Sequence, residues 1–465
     1  MQQTVSDLIT ESKIRELDKE YSSYGDTVHY SKNPKIFNEC FGSFMYDRES
    51  IPYLDLQMWY ASCNLGYRNQ RIIDAVKNCL DTMPQIASKF LYDYKVLLTK
   101  QIAEANIKRF NEKGRVHFNV GGAQATEDAI KLVRNYTKKN ALFAFMGGYH
   151  GRTTGASSVT SSFRYRENFG HFGDRAFFIP FPYCYRCHYG KNRDDCGFYC
   201  VKVFERLFET EYNSIYNPNT KNCEFGAFIA EPIQGTGGYI IPPMGYFKEL
   251  KRVLDKFNIL LIVDEIQMGM YRTGKLWSVE HFNVTPDVIT FGKSLTNGMN
   301  PLSGLWAKEK LINPEIWPAG RTHSTYSSNP IGTRSGYEVM KIFEENGNIL
   351  EESIKQKGEK FLSGLKFLMK RFKTIGNVDG LGLALRIECT GSDGITPDKK
   401  LCDFIIEEGL KGNLVYEGKK CGLILNNGGY YKNVITLVPP VNITDSEIDM
   451  AIELLLQLFK RSEVK

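Results

Sequence analysis

The sequence predicts an α/β protein: a mostly parallel sheet flanked by helices, with a smaller α+β domain beside it. Apolar strand candidates alternate with helical patterns from about Val116 to Ala307 (VHFNV, ALFAFM, FGAFIAEP, ILLIVDE, DVITFG), which is the pattern of parallel strands joined by covering helices. With 465 residues the chain is too long for one small core, so two unequal domains are expected. From about Tyr337 the pattern changes to long amphipathic helices mixed with short strands, the mark of a second unit. The expected division is 1–70 for an N-terminal segment shared between the small domain and a subunit interface, 71–336 for the large domain, and 337–465 for the C-terminal small domain, with a cysteine-rich insertion at 181–201.

Composition excludes several classes. Hydrophobic content of 42% and charged content of 24% belong to an ordinary globular protein. The net charge of +6 is mild and its charges are interleaved, so no nucleic-acid partner is expected. The N-terminus, MQQTVSDLITESK, lacks an apolar signal core, and no apolar run is long enough to span a membrane. The expected location is cytoplasmic, with the eleven cysteines as reduced thiols.

Taken in order, the strand ends carry the chemistry, as ligand sites of such sheets do. VHFNV runs into Gly121-Gly122-Ala123, and a helix from Gln124 to Lys138 follows. Glycine between strand and helix lets backbone N–H groups approach a phosphate, although a plain tight turn has the same pattern. After ALFAFM, the segment GGYHGRTTGA supplies Tyr149, which can stack on a cofactor ring, and Arg152, which can take a carboxylate bidentately. The plain alternative is a surface turn with a solvated arginine, and His150 is equally a structural histidine. The strand Leu260 to Val263 then ends in Asp264, with Gln267 three residues on, and the strand Val288 to Phe291 leads to Lys293. Two adjacent parallel strands would bring that carboxylate and that amine to one sheet edge. Pyridoxal phosphate chemistry needs both: the amine forms the Schiff base with the cofactor aldehyde, and the carboxylate keeps the ring nitrogen protonated.

The insertion FPYCYRCHYGKNRDDCGFYC places Cys184, Cys187, Cys196 and Cys200 in a C-x2-C…C-x3-C pattern. Four thiolates in two pairs could hold a structural zinc, with His188 as a substitute ligand; packed free thiols and disulfides are the alternatives. No metal is assigned to the catalytic site.

Together these motifs resemble the class III pyridoxal-phosphate-dependent aminotransferases of fold type I, whose members include ornithine, acetylornithine and 4-aminobutyrate aminotransferases. The matches run in order from YLDLQMWYASCNLGY through NVGGAQATEDAIK, GGYHGRTTGA, AEPIQGTGGY, VDEIQMGMYRTG, TFGKSL and THSTYSSNP to GLGLALRIE and TLVPPVNIT. The resemblance implies a homodimer with shared active sites and a pyridoxal 5'-phosphate cofactor. It makes Lys293 the Schiff-base lysine and proton shuttle, and Asp264 the partner of the pyridine nitrogen. Gln267 would approach the ring hydroxyl and Tyr149 would stack on the ring. Gly122 and Ala123 would bind phosphate, with Thr325 reaching it from the neighbouring subunit. Glu231 would line the site near the substrate, and Arg152 would hold a substrate carboxylate.

The sequence also departs from the family. Glutamate-using members carry an acid after Gln-Gly and an arginine before the paired prolines, which form a switchable pair; here Thr236 and Thr436 stand at those positions. Losing the acid alone would leave an exposed cation, and losing the arginine alone a carboxylate without its partner, which is costly in a buried site; the double loss is self-consistent and implies that the usual glutamate switch is not used. Trp59 replaces a glycine and Tyr60 an aliphatic residue, which would reshape the substrate entrance; packing at the subunit interface is the alternative for Trp59. Gln124 replaces an acid without evident function. The expected activity is amino-group transfer from an amino acid or amine to an oxo acid by a ping-pong mechanism, with a racemase or epimerase on the same scaffold as the alternative. A non-catalytic partner protein is disfavoured because Lys293, Asp264 and Gln267 are all present.

Overall fold

In the computed structural model described here, residues 9–26, 34–169, 172, 176–213 and 215–464 are placed. Strands β1 (Phe37–Phe41), β2 (Phe44–Asp47) and β3 (Pro52–Asp55) form an antiparallel meander. The large sheet takes β4 (Gly114–Asn119), β5 (Ala141–Phe145) and β6 (Ala176–Ile179), and after the two-residue pieces β7 (Tyr216–Asn217) and β8 (Asn222–Cys223) it takes β9 (Phe225–Ala230), β10 (Leu260–Asp264), β11 (Val288–Phe291) and β12 (Ser303–Lys308). Its order is β4-β12-β11-β10-β9-β5-β6. The run from β6 to β11 is parallel, and β12 lies antiparallel to both of its neighbours.

Every residue of β5, β9 and β11 is buried, as a sheet covered on both faces requires. Alternation sorts the side chains: Leu142 and Ala144 pack with Ile130 and Val133 of the helix Gly122–Thr137, whereas Phe143 and Phe145 face an aromatic cluster with Phe204, Phe225 and Phe228. The five strands predicted in this region are all present. The two additional strands escape the alternation reading because β6 is a short, half-exposed edge strand and β12 runs antiparallel with a glycine in it.

The helix Pro330–Arg371 starts with proline at its first position and the Asn329 side chain capping Gly332 N at 2.7 Å. It leads to β13 (Ile375–Leu381), β14 (Ala384–Cys389), β15 (Leu414–Tyr416), β16 (Lys419–Ile424), β17 (Asn426–Gly428) and β18 (Val434–Leu437). Strands β13, β14, β18 and β17 make one sheet, while β16 pairs in parallel with β3, so the N-terminal meander and the C-terminal part share a sheet.

Candidate active site

Asp264 and Lys293 meet as the strand order requires. β10 and β11 are adjacent and parallel, with Asp264 in register with Thr290, three residues before Lys293. Both residues line one cavity of about 650 Å3. Lys293 sits at φ 42°, a left-handed conformation unusual for a side-chain-bearing residue and common at functional turns. Burial pushes its amine down to about 8, while Asp264 and Glu231 act in the opposite direction.

The Asp264 carboxylate is held from two sides. Its Oδ1 accepts from Ile266 N at 3.1 Å and its Oδ2 lies 2.8 Å from His150 Nδ1. Burial opposes a charge on His150, but the hydrogen bond to Asp264 and that carboxylate's charge outweigh it, and the imidazole pKa is raised. His150 N donates to Thr160 Oγ1 at 2.9 Å, and its Nε2 has no partner among the described residues. Sequence left His150 open between roles; nothing within its own segment pairs it with Asp264, and only the sheet order brings them together.

The helix after the glycine turn begins two residues earlier than expected. Gly122 is already helical and Gly121 is its N-cap. Gln124 Oε1 accepts from Val120 N at 3.2 Å and Gly121 N at 3.4 Å, so the residue without evident function caps the loop. The amides of Gly122 and Ala123, in the first turn, have no intrahelical acceptor, and both residues line the large cavity. A Cβ at Gly122 would come within 2.9 Å of Ile266 Cδ1, so a side chain there would crowd the cradle. The donor set of open helix terminus, aromatic ring, buried carboxylate and half-buried amine fits the phosphate, ring, ring nitrogen and aldehyde of pyridoxal phosphate.

A second cavity of about 200 Å3 adjoins the first and shares Tyr149, Arg152, Gln267 and Lys293 with it. Tyr149 meets Tyr165 edge-on at 5.3 Å, and the Arg152 guanidinium lies 4.5 Å from the Tyr165 ring centre and 5.8 Å from that of Tyr149. Glu231 accepts from Tyr149 N at 3.1 Å and Gly235 N at 3.0 Å, tying the Tyr149 loop to the Gln-Gly-Thr loop. Burial raises its carboxyl to about 7, with Asp264 adding to the rise and His150 opposing it. Gln267 Nε2 donates to Tyr239 Oη at 3.1 Å.

Trp59 lines the larger cavity and Tyr60 the smaller. They belong to a turn, Met58 to Ala61, whose four non-glycine residues all have φ between 45° and 64°. Left-handed backbone of this kind costs roughly 1–2 kcal/mol per residue. The buried Asp55 holds it: Oδ1 accepts from Gln57 N at 2.7 Å and Met58 N at 2.9 Å, and Oδ2 from Tyr67 Oη at 2.6 Å. Thr236 and Thr436 both line the smaller cavity, and Thr436 Oγ1 donates to Asn426 O at 3.3 Å. Thr325 is exposed on the loop before Pro330 and lines neither cavity of its own chain.

All eleven cysteines are free thiols. Cys184, Cys187, Cys196 and Cys200 surround one cavity of about 30 Å3, and among the described residues no group of three or more His, Cys, Asp or Glu side chains is arranged to hold a metal ion. The insertion fastens the C-terminal strands instead: Tyr183 and Arg186 both bond Glu388 of β14. Among the described residues no helix is long and apolar enough to cross a membrane.

A family model described as aminotransferase class-III matches residues 28–459. The leucine/methionine racemase of Thermococcus litoralis is 32% identical over 413 residues, covering 88% of this chain and 87% of its own. The taurine–pyruvate aminotransferase of Bilophila wadsworthia is 30% identical over 454 residues, covering 93% and 94%. A solved transaminase from the marine bacterium Virgibacillus superposes with a TM-score of 0.82 at 25% identity, over 96% of this chain and 98% of its own.

Proposed function

The chain belongs to the class III aminotransferase family, with its type I fold, and from that membership we propose a pyridoxal-phosphate enzyme that moves an amino group from an amino acid or amine to an oxo acid by a ping-pong route. The observation that carries this reading is the buried Asp264 carboxylate at the end of β10 and the half-buried Lys293 amine just past the end of β11, facing one cavity. When bound, pyridoxal phosphate draws electrons from the bonds of the substrate's α-carbon. Lys293, with its basicity lowered by burial, holds and returns a proton near neutral pH. Asp264, fixed by Ile266 N and His150, keeps negative charge at the ring nitrogen. Gly122 and Ala123 would hold the phosphate, Tyr149 would stack on the ring, Gln267 would meet its hydroxyl, Glu231 sets the two loops, and Arg152 would take a substrate carboxylate.

The active unit in this reading is a homodimer, with Thr325 completing the neighbour's phosphate site. Its exposure supports this, as do Trp59 at 57%, Tyr326 at 72% and Leu91 at 84%, large apolar groups left open to a partner. Residues 71–336 hold the cofactor, and 1–70 with 337–465 form the smaller domain, as the pairing of β3 with β16 supports. Eleven unpaired thiols support a cytoplasmic location.

One observation favours racemisation as a second reading: Thr236 and Thr436 leave the smaller cavity without the acid and arginine that serve a glutamate-type acceptor. The relative from Thermococcus litoralis is named a racemase. The holoenzyme is therefore mixed with single-enantiomer amino acids and simple amines without an oxo acid. Stoichiometric loss of the cofactor's visible absorbance establishes transfer. Many turnovers of α-hydrogen exchange with inversion and the absorbance retained establish racemisation. Silence toward every compound would overturn both.

A further inference from the structure

The walls of the smaller cavity contain two cations besides Lys293, namely Arg152 and Lys432, and no carboxylate. Arg152 is stacked on its tyrosines. Lys432 is half-buried and has no ion-paired or hydrogen-bonded side-chain partner among the described residues. Burial, with Arg164 and Lys399 nearby, presses its pKa down. Its backbone is fixed: φ is 57°, and Lys432 N donates to Gly429 O at 3.1 Å. Two residues on, β18 begins and brings Thr436 to the same cavity. A half-buried, uncompensated ammonium is costly unless a ligand supplies the anion.

The geometry points to Lys432 as a second anchor, beside Arg152, for the substrate's carboxylate, a cation displaced from the strand position of Thr436 to the loop just before it. No acid masks it, because position 236 is a threonine. Tyr60, Asn427 and Thr436 line the same cavity and offer neutral hydrogen bonds around it. The substrate class that follows is α-amino acids rather than carboxylate-free amines. This inference rests on the aminotransferase reading of the site.

The test uses the holoenzyme, the amino acid to which the wild type responds most strongly, and its decarboxylated amine. Apparent dissociation constants come from single-turnover changes in the cofactor spectrum. Lys432→Met is expected to weaken the amino acid at least roughly tenfold more than the amine, with the loss in KM rather than kcat, and Lys432→Arg to restore most of it. Propionate, which cannot react, should lose potency as an inhibitor in Lys432→Met and regain it in Lys432→Arg. Equal weakening of amino acid and amine, or an amino acid affinity within twofold of wild type, would overturn the anchor role. So would a wild type that prefers the amine. If the wild type itself responds to no amino acid or amine, the aminotransferase reading fails instead.

Discussion

Lys293 works against the fold it belongs to. Its pKa in the folded protein, about 8, lies below the ordinary 10.5, so the unfolded chain binds its proton more tightly. Below pH 8 both states are protonated and the folded protein bears the full penalty, which is worth roughly 3 kcal/mol. The penalty is recovered as pH rises from 8 to 10.5. Lys293→Met should therefore raise the melting temperature of the cofactor-free protein at pH 7 while abolishing turnover. Calorimetry of the two proteins at pH 7 and pH 10 checks it, with the difference shrinking at the higher pH. His150 is the second residue to test: removing its bond to Asp264 in His150→Ala should cost roughly 1.5–3 kcal/mol, read as a ten- to hundredfold loss in cofactor affinity or turnover. That Asp264, Lys293, Tyr149 and Gly122 line one cavity was legible because each follows a strand end, next to a local pattern. His150 and Gln124 were not, because one is explained by a partner on another strand and the other by the amides it caps.

At the scale of elements, the turn Met58 to Ala61 shows where sequence runs out. No glycine marks it, and each residue alone would prefer another conformation; the strain is compensated from Asp55 and the packing of buried Met58 and Ala61. Asp55→Ala leaves the amides of Gln57 and Met58 without their acceptor and should cost about 3 kcal/mol of stability. Because Trp59 and Tyr60 ride on this turn, the variant should also lose substrate affinity beyond its loss of stability, measured below its melting transition. The parallel strands themselves were readable as apolar runs. β12 was not, since a strand reversed against its neighbours follows only a 3-10 turn, Lys293–Thr296, rather than a covering α-helix that would announce it.

For the whole molecule, the proposed dimer of 53.1 kDa chains with shared sites makes a complementation prediction. Thr325→Ala should weaken cofactor binding, and Lys293→Ala should be inactive. Refolded as a mixture, the hybrid dimer holds one site with Lys293 from one chain and Thr325 from the other. Activity is therefore expected to return to a fraction of wild type, while sedimentation reports twice the chain mass. Recovery absent from a verified hybrid would place each site within a single chain. The change of pattern read near Tyr337 falls inside the helix Pro330–Arg371, and the parallel pairing of β3 with β16 was not legible, since no local signal names a partner so far along the chain.

That pairing sets an order of events during synthesis. Gln57 and Asn426, brought within 3.5 Å beside the shared sheet, stand 369 positions apart. A ribosome takes on the order of tens of seconds to cover that stretch. For that interval β3 has an unpaired edge, and the turn carrying Trp59 and Tyr60 hangs from an unfinished sheet. The large sheet from β4 to β12 can assemble meanwhile, so the nascent protein can have its cofactor cradle before it has its substrate entrance. Strand β3 is thus among the last to settle, with its edge unpaired until β16 emerges.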